Sequence, residues 1–140
     1  FFDALYYRFS TREAWELFPD VLPALNALRN RGLTMAVLSN WDSRLFGLCE
    51  GLGLGPYLDF ILASAVVGVA KPHPKIFQEA LRRARVPPEE ALHVGDSVED
   101  DVLGARGAGI QAIFLDRKGG RPCQAPTISA LQFLCGMFEN

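Results

Sequence analysis

The sequence predicts an α/β protein: a Rossmann-like three-layer arrangement with helices on both faces of a parallel sheet. Two observations carry that expectation. Short apolar runs rich in β-branched residues alternate with segments of helical periodicity, the order that generates βαβ units. The runs are apolar along most of their length, as in strands buried on both faces, rather than alternating apolar and polar. Connections between such strands are expected to be right-handed.

The elements follow in order. Residues 20–31 repeat apolar side chains at Val21, Leu25 and Leu28, a helical spacing, with Asp20 at the N-cap and Gly32 as the stop. Residues 33–38 form the first strand, which runs into Ser39-Asn40. Ser43 can cap a second helix with Leu45, Cys49 and Leu52 on one face. FILAS at 60–64 reads as a second strand, and a third helix opens near Pro74 with Phe77, Leu81 and Ala84 aligned. ALHVG at 91–95 is a third strand, followed by a helix marked by Val98, Val102 and Ala105. QAIFL at 111–115 is a fourth strand. Residues 119–126 form a loop, and Ile128, Leu131, Cys135 and Phe138 suggest a closing helix. Residues 1–18 are aromatic-rich and helix-like and stand apart from the α/β region 19–140.

Composition narrows the class. The 140 residues are 49% hydrophobic and 21% charged, the balance of a globular chain with a real core. Fourteen basic against sixteen acidic residues, with no basic run, give no footprint for nucleic acid. No apolar run is long enough to span a bilayer, and no signal-peptide pattern is present. Three irregularly spaced cysteines, Cys49, Cys123 and Cys135, read as reduced packing thiols in a cytoplasmic protein. His73 and His93 read as packing or surface residues rather than ligands. GLGLG at 51–55 follows a helix instead of a strand, so it reads as a helix stop and turn, not a dinucleotide loop.

Polar residues collect where open α/β sheets bind ligands, beyond the carboxyl ends of the strands. The first strand ends in Ser39-Asn40, the third in Gly95-Asp96, and the second leads to Lys71. Singly, each has an ordinary explanation: Ser39-Asn40 as a turn or cap, Lys71 as a solvated loop lysine, the acids as helix-terminal charges. Yet Asp96, Glu99, Asp100 and Asp101 crowd into six positions, more acid than a cap needs. A hydroxyl with backbone amides can hold phosphate oxygens, a lysine can offset their charge, and carboxylates can hold Mg²⁺. A divalent cation would make the crowded acids favourable.

These segments resemble the haloacid dehalogenase-like hydrolase superfamily, whose members are mostly Mg²⁺-dependent phosphatases. VLSNWDSR resembles its second motif, AKPHPKIF its third and HVGDSVEDD its acidic fourth, over about residues 15–117. The lead-in AWELFPDVLPALNALRNRG and the SNWDSR variant resemble the subgroup of rhythmically expressed gene 2-like and haloacid-dehalogenase-like domain-containing protein 3 hydrolases. The resemblance implies that Ser39 and the Asn40 amide hold a phosphoryl group and that Lys71 offsets its charge. It implies Asp96 as a Mg²⁺ ligand, supported by Asp101 or Asp100, with the longer GDSxxxD spacing favouring Asp101. The implied substrate is a small phosphorylated metabolite.

The family's first motif, DxDx[TV], supplies the nucleophile and the general acid/base, and it does not occur in these 140 residues. FFDAL at the start lacks the second acid and lies too close to Ser39. Residues 1–18 resemble the end of a helical cap. The resemblance therefore implies a C-terminal portion of a longer enzyme, inactive alone, with the first strand and most of the cap missing. That strand would lie between the strands carrying Ser39 and Asp96, so two apolar edges would need a dimer or a partner chain to cover them. A second reading is a non-catalytic module that binds a phosphorylated ligand or a protein. A receiver domain is disfavoured because its acids come early in the chain and its lysine late.

Overall fold

Residues 16–138 are described by a computed structural model. Helix α1 spans Val21–Asn30, and Gly32, at φ 78°, turns the chain out of it in a conformation that glycine adopts without strain. Strand β1 is Ala36–Ser39, helix α2 Arg44–Gly51, and strand β2 Phe60–Ala63, with the short helix α3 at Ser64–Val67. Helix α4 is Pro74–Ala84, strand β3 Leu92–Gly95, and a π-helical turn Val98–Leu103 runs into α5 at Gly104–Gly107. Strand β4 is Gln111–Leu115, β5 is Thr127–Ile128, and a 3₁₀ segment closes at Leu131–Phe138.

All pairings are parallel. β1 pairs with β2, Ala36 opposite Phe60. β3 pairs with β4, Leu92 opposite Gln111, and β4 with β5. Among the described residues the strands pair as a two-stranded and a three-stranded half-sheet, and no described ladder joins β1 to β3. A cavity of about 270 Å³ lies between their amino-terminal ends, with Leu33 and Met35 on one side and Leu92 and Val94 on the other.

Neighbouring strand residues point to opposite faces, and the core divides accordingly. Val37, Ala63, Val94, Ile113 and Leu115 pack with α1, α2 and the closing 3₁₀ segment. Leu38, Leu62, Ala112 and Phe114 pack with α4 and with Val102 and Ala105 on the other face. Each cluster draws on both half-sheets, so the core is continuous across the gap. This is the three-layer α/β/α arrangement that the apolar runs predict.

Several local expectations change. The expected closing helix starts with a strand: Ile128 lies in β5, whose edge pairs with Leu115, and only the portion from Leu131 is helical. The helix after β3 begins as a π turn. Asp20 and Ser43 occupy N-cap positions without capping through their side chains. Asp20 instead accepts from Arg117 Nη1 at 2.9 Å and from the Leu131 amide at 2.7 Å, whereas Asp42 accepts from the Arg44 amide at 2.9 Å. The cap-like reading of residues 1–18 falls mostly outside the described residues. Cys49, Cys123 and Cys135 are free thiols.

Phe77, 1% exposed, is with Phe114 one of the two largest buried side chains of the α4-side cluster. Phe77→Ala is expected to cost about 3–5 kcal/mol through lost burial and the cavity left behind. Leu103→Ala, at a residue 57% exposed, should change stability by less than about 0.5 kcal/mol. Urea denaturation of the two variants checks the contrast.

Candidate active site

The rim at the carboxyl ends of β1 and β3 is assembled around Lys71. Its ammonium is 3% exposed and donates to Asp101 Oδ1 at 2.6 Å. Its backbone is held by Asn40: the Lys71 amide donates to Asn40 Oδ1 at 2.8 Å, and Asn40 Nδ2 donates to the Lys71 carbonyl at 3.0 Å. The Lys71–Pro72 peptide is cis. Lys71 is thus tied to the end of β1 through its main chain and to the turn after β3 through its side chain. The solvated-loop explanation for this lysine does not hold.

Asp101 is buried and fully engaged. Oδ1 receives the Lys71 ammonium and lies 2.8 Å from His93 Nε2, while Oδ2 accepts the Ser97 amide at 3.0 Å. Burial alone would raise its pKa, but the His93 hydrogen bond and the Lys71 charge outweigh it and hold the carboxyl below its ordinary 3.8. The acid packs directly on Gly95: a Cβ there would overlap Asp101 Cγ. Gly104 has a similar role further along the chain, where a Cβ would lie 2.9 Å from Phe77 Cε2 and 3.0 Å from Pro72 Cα. The GDSxxxD…GA spacing has a steric origin: both glycines clear room, one for the acid and the other for the Lys71-Pro72 loop.

Asp96 follows β3 at the open rim. Its pKa is raised, first by desolvation of the carboxyl and then by the negative charge of Asp101, with Lys71 and Arg121 opposing. Its backbone carbonyl accepts from Arg121 Nη1 at 3.0 Å. Arg121 is in turn set by buried Asp116, which accepts from its Nε at 3.1 Å and from its amide at 3.0 Å. Asp100 donates its amide to Ser97 Oγ at 3.0 Å, and its carboxylate makes no hydrogen bond among the described residues. Ser39 is half-buried at the end of β1, and its hydroxyl likewise makes none. Trp41 lies just beyond, with the Arg44 guanidinium 5.3 Å from its ring centre. His73 accepts from the Lys75 amide and caps α4.

The structure therefore brings Ser39, Asn40, Lys71, Asp96 and Asp101 to one rim. It gives two of them partners that the spacing does not reveal: the Asn40 side chain serves Lys71's backbone, and Asp101 serves Lys71's ammonium. Among the described residues no three His, Cys, Asp or Glu side chains converge as a metal cage. The Asp96 carboxyl, whose charge Lys71 and Arg121 offset only in part, nonetheless fits a hard cation, and Mg²⁺ takes one or two protein carboxylates and keeps waters for the rest. His93, Arg121, Asp116, Gly95 and Gly104 do not stand out as site residues in the sequence. The apolar context of His93 and the loop position of Arg121 hide their roles until the fold is closed.

Residues 1–109 match the model of the haloacid dehalogenase-like hydrolase family. The chain belongs to that family. It is 44% identical over 114 residues to haloacid dehalogenase-like hydrolase domain-containing protein 3 of Xenopus laevis, covering 81% of this chain and 47% of that protein. It is 41% identical over 115 residues to a phosphoserine phosphatase of Thermus thermophilus, covering 81% of this chain and 46% of the relative. Among solved structures, a haloacid dehalogenase-type phosphatase from Thermococcus onnurineus superposes with a TM-score of 0.84 at 31% identity, over 88% of this chain and 58% of that one. The chain spans about half the length of the curated relatives it matches. Among the described residues no helix is long and apolar enough to cross a membrane.

Asp101→Asn keeps the shape but removes the charge facing Lys71, and breaking a buried pair in this way is expected to cost about 3–5 kcal/mol at neutral pH. The pH dependence has a definite sign. Because the folded pKa of Asp101 lies below 3.8, its stabilisation is present above that value and lost as pH falls through the folded pKa. Urea midpoints recorded from pH 7 to pH 3 should fall on the acid side, and Asp101→Asn should remove that component.

Proposed function

We propose that this chain is the phosphate- and metal-binding portion of a hydrolase that acts on a small phosphate monoester. One observation carries the reading: a buried lysine links the Ser39 end of one half-sheet to the Asp96 turn of the other. A cation, an unengaged hydroxyl and a carboxyl in need of a counter-charge thereby share one rim. Such a rim is suited to a dianionic phosphoryl group. The phosphoserine phosphatase among the relatives supports the same class.

In this reading, Ser39 Oγ and the Asn40 amide hold two phosphoryl oxygens, and Lys71 offsets charge from the floor of the site. Asp96 would hold Mg²⁺, with Asp100 or Asp101 in support. Asp100 has the less committed carboxylate, and Asp101 acts chiefly by fixing Lys71. When bound, Mg²⁺ supplies charge neutralisation at the phosphoryl oxygens. The attacking carboxylate comes from an extended segment lying between β1 and β3, where no described strand pairs with either edge and the apolar cavity lies. Its oxygen would bond to phosphorus as the ester oxygen departs with a proton. Water would then cleave the aspartyl-phosphate and release inorganic phosphate. Without that segment the 140 residues bind phosphate and Mg²⁺ but do not turn over ester.

The test is hydrolysis of p-nitrophenyl phosphate by the protein extended upstream through a DxDx[TV] strand. Turnover that requires Mg²⁺ and is lost in Asp96→Asn is the expected result. Unchanged turnover in Asp96→Asn removes it as a metal ligand. Magnesium and phosphate binding without any turnover in the extended protein would favour the non-catalytic module instead. Amide exchange at β1 and β3 supplies an independent check on the slot, with protection expected to rise in the extended protein.

A further inference from the structure

His93 lies in β3 two residues before Gly95, and its side chain is 1% exposed. It stands edge-on to Phe77, with ring centres 5.2 Å apart and planes at 88°. Asp101 is ionised and can only accept. The 2.8 Å contact with Asp101 Oδ1 therefore places the ring proton on Nε2. Nδ1 is buried and has no hydrogen-bond partner among the described residues.

A buried ring nitrogen without a partner is a net cost to the fold. An apolar ring of similar size beside Phe77 would avoid that cost. What the imidazole supplies is a single N–H aimed at the oxygen that also receives the Lys71 ammonium. With the Ser97 amide on the other oxygen and the Gly95 backbone beneath, that N–H completes the fixing of the carboxylate plane.

We propose that His93 is a positioning residue for Lys71, acting through Asp101: its Nε2–H orients the carboxylate so that Oδ1 faces and holds the lysine ammonium. This deepens the reading of Lys71 as the charge-offsetting group, but its test does not depend on turnover. Remove the N–H and the carboxylate can rotate, so the Lys71 ammonium is held less tightly and labels faster.

The experiment is reductive methylation of the full-length protein with formaldehyde and borohydride, read lysine by lysine by peptide mass spectrometry. Exposed Lys75 and Lys118 are the internal references. Lys71 should be slow in the wild type. In His93→Phe, which keeps a ring but not the donor, Lys71 labelling should rise at least about tenfold, the factor carried by one hydrogen bond to a charged group. His93→Gln, whose side-chain N–H can reach the same oxygen, should return labelling to within about threefold of wild type on the same scale. The melting temperature of His93→Phe should fall, because the buried Asp101 carboxylate loses a donor. Unchanged Lys71 labelling in a folded His93→Phe protein would overturn the proposal. So would a folded His93→Gln protein labelled at Lys71 as fast as the references, an arm that decides the question even where His93→Phe folds poorly. Loss of the phosphatase reading would appear separately, as absent turnover with the labelling pattern intact.

Discussion

A lysine ammonium that is 3% exposed cannot stay charged without a counter-ion. Much of the architecture around the rim answers that one requirement. Asp101 supplies the charge, and Gly95 leaves out the Cβ that would displace it. The π turn after β3 sets Asp101 over Gly95 and in reach of the Ser97 amide. Gly104 lets the following helix lie against Pro72, which carries the lysine into place. Buried ion pairs are poor stabilisers compared with apolar packing. The pair is better understood as a fixture that holds one charge at one position than as a source of stability.

The same fixture spans the least continuous region of the fold. β1 and β3 do not pair with each other among the described residues, and the apolar clusters on the two faces pack across both. Packing is tolerant of small sliding movements, whereas hydrogen bonds at both ends of one residue are not. Asn40 fixes the Lys71 backbone to the β1 end and Asp101 fixes its ammonium to the β3 turn, so the relative height of the two half-sheets is set at the rim. Arg121 adds a second tie on the other side of β3, between the loop after β4 and the Asp96 carbonyl.

Much of this is legible in the sequence, and the limits are physical. Four strands and three of the longer helices follow from apolar runs and 3.6-residue periodicity, because burial on two faces leaves a strong signal. Ser39, Lys71 and Asp96 can be placed on one rim from strand ends alone. β5 escapes the pattern because two residues carry no period, and its pairing depends on the loop that returns it to β4. The roles of Asn40 and Asp101 are hidden for another reason. Each satisfies Lys71 from about thirty residues away, and linear spacing cannot distinguish a carboxylate that faces a cation in solution from one that faces a buried ammonium. His93 sits in an apolar run and reads as packing; only the closed fold shows that its ring N–H has a task.

The contact between Asp20 and Leu131 bears on how the chain reaches this state. The carboxylate that leads into α1 accepts from an amide 111 residues later, and its other oxygen from Arg117, 97 residues later. Bridging such separations requires closure of a loop of about a hundred residues, and contacts of this range form late and slow the approach to the native state. During synthesis, α1 leaves the ribosome well before the closing 3₁₀ segment that covers one of its faces. For that interval the apolar side of α1, Val21, Leu25 and Leu28, is a natural client surface for a chaperone.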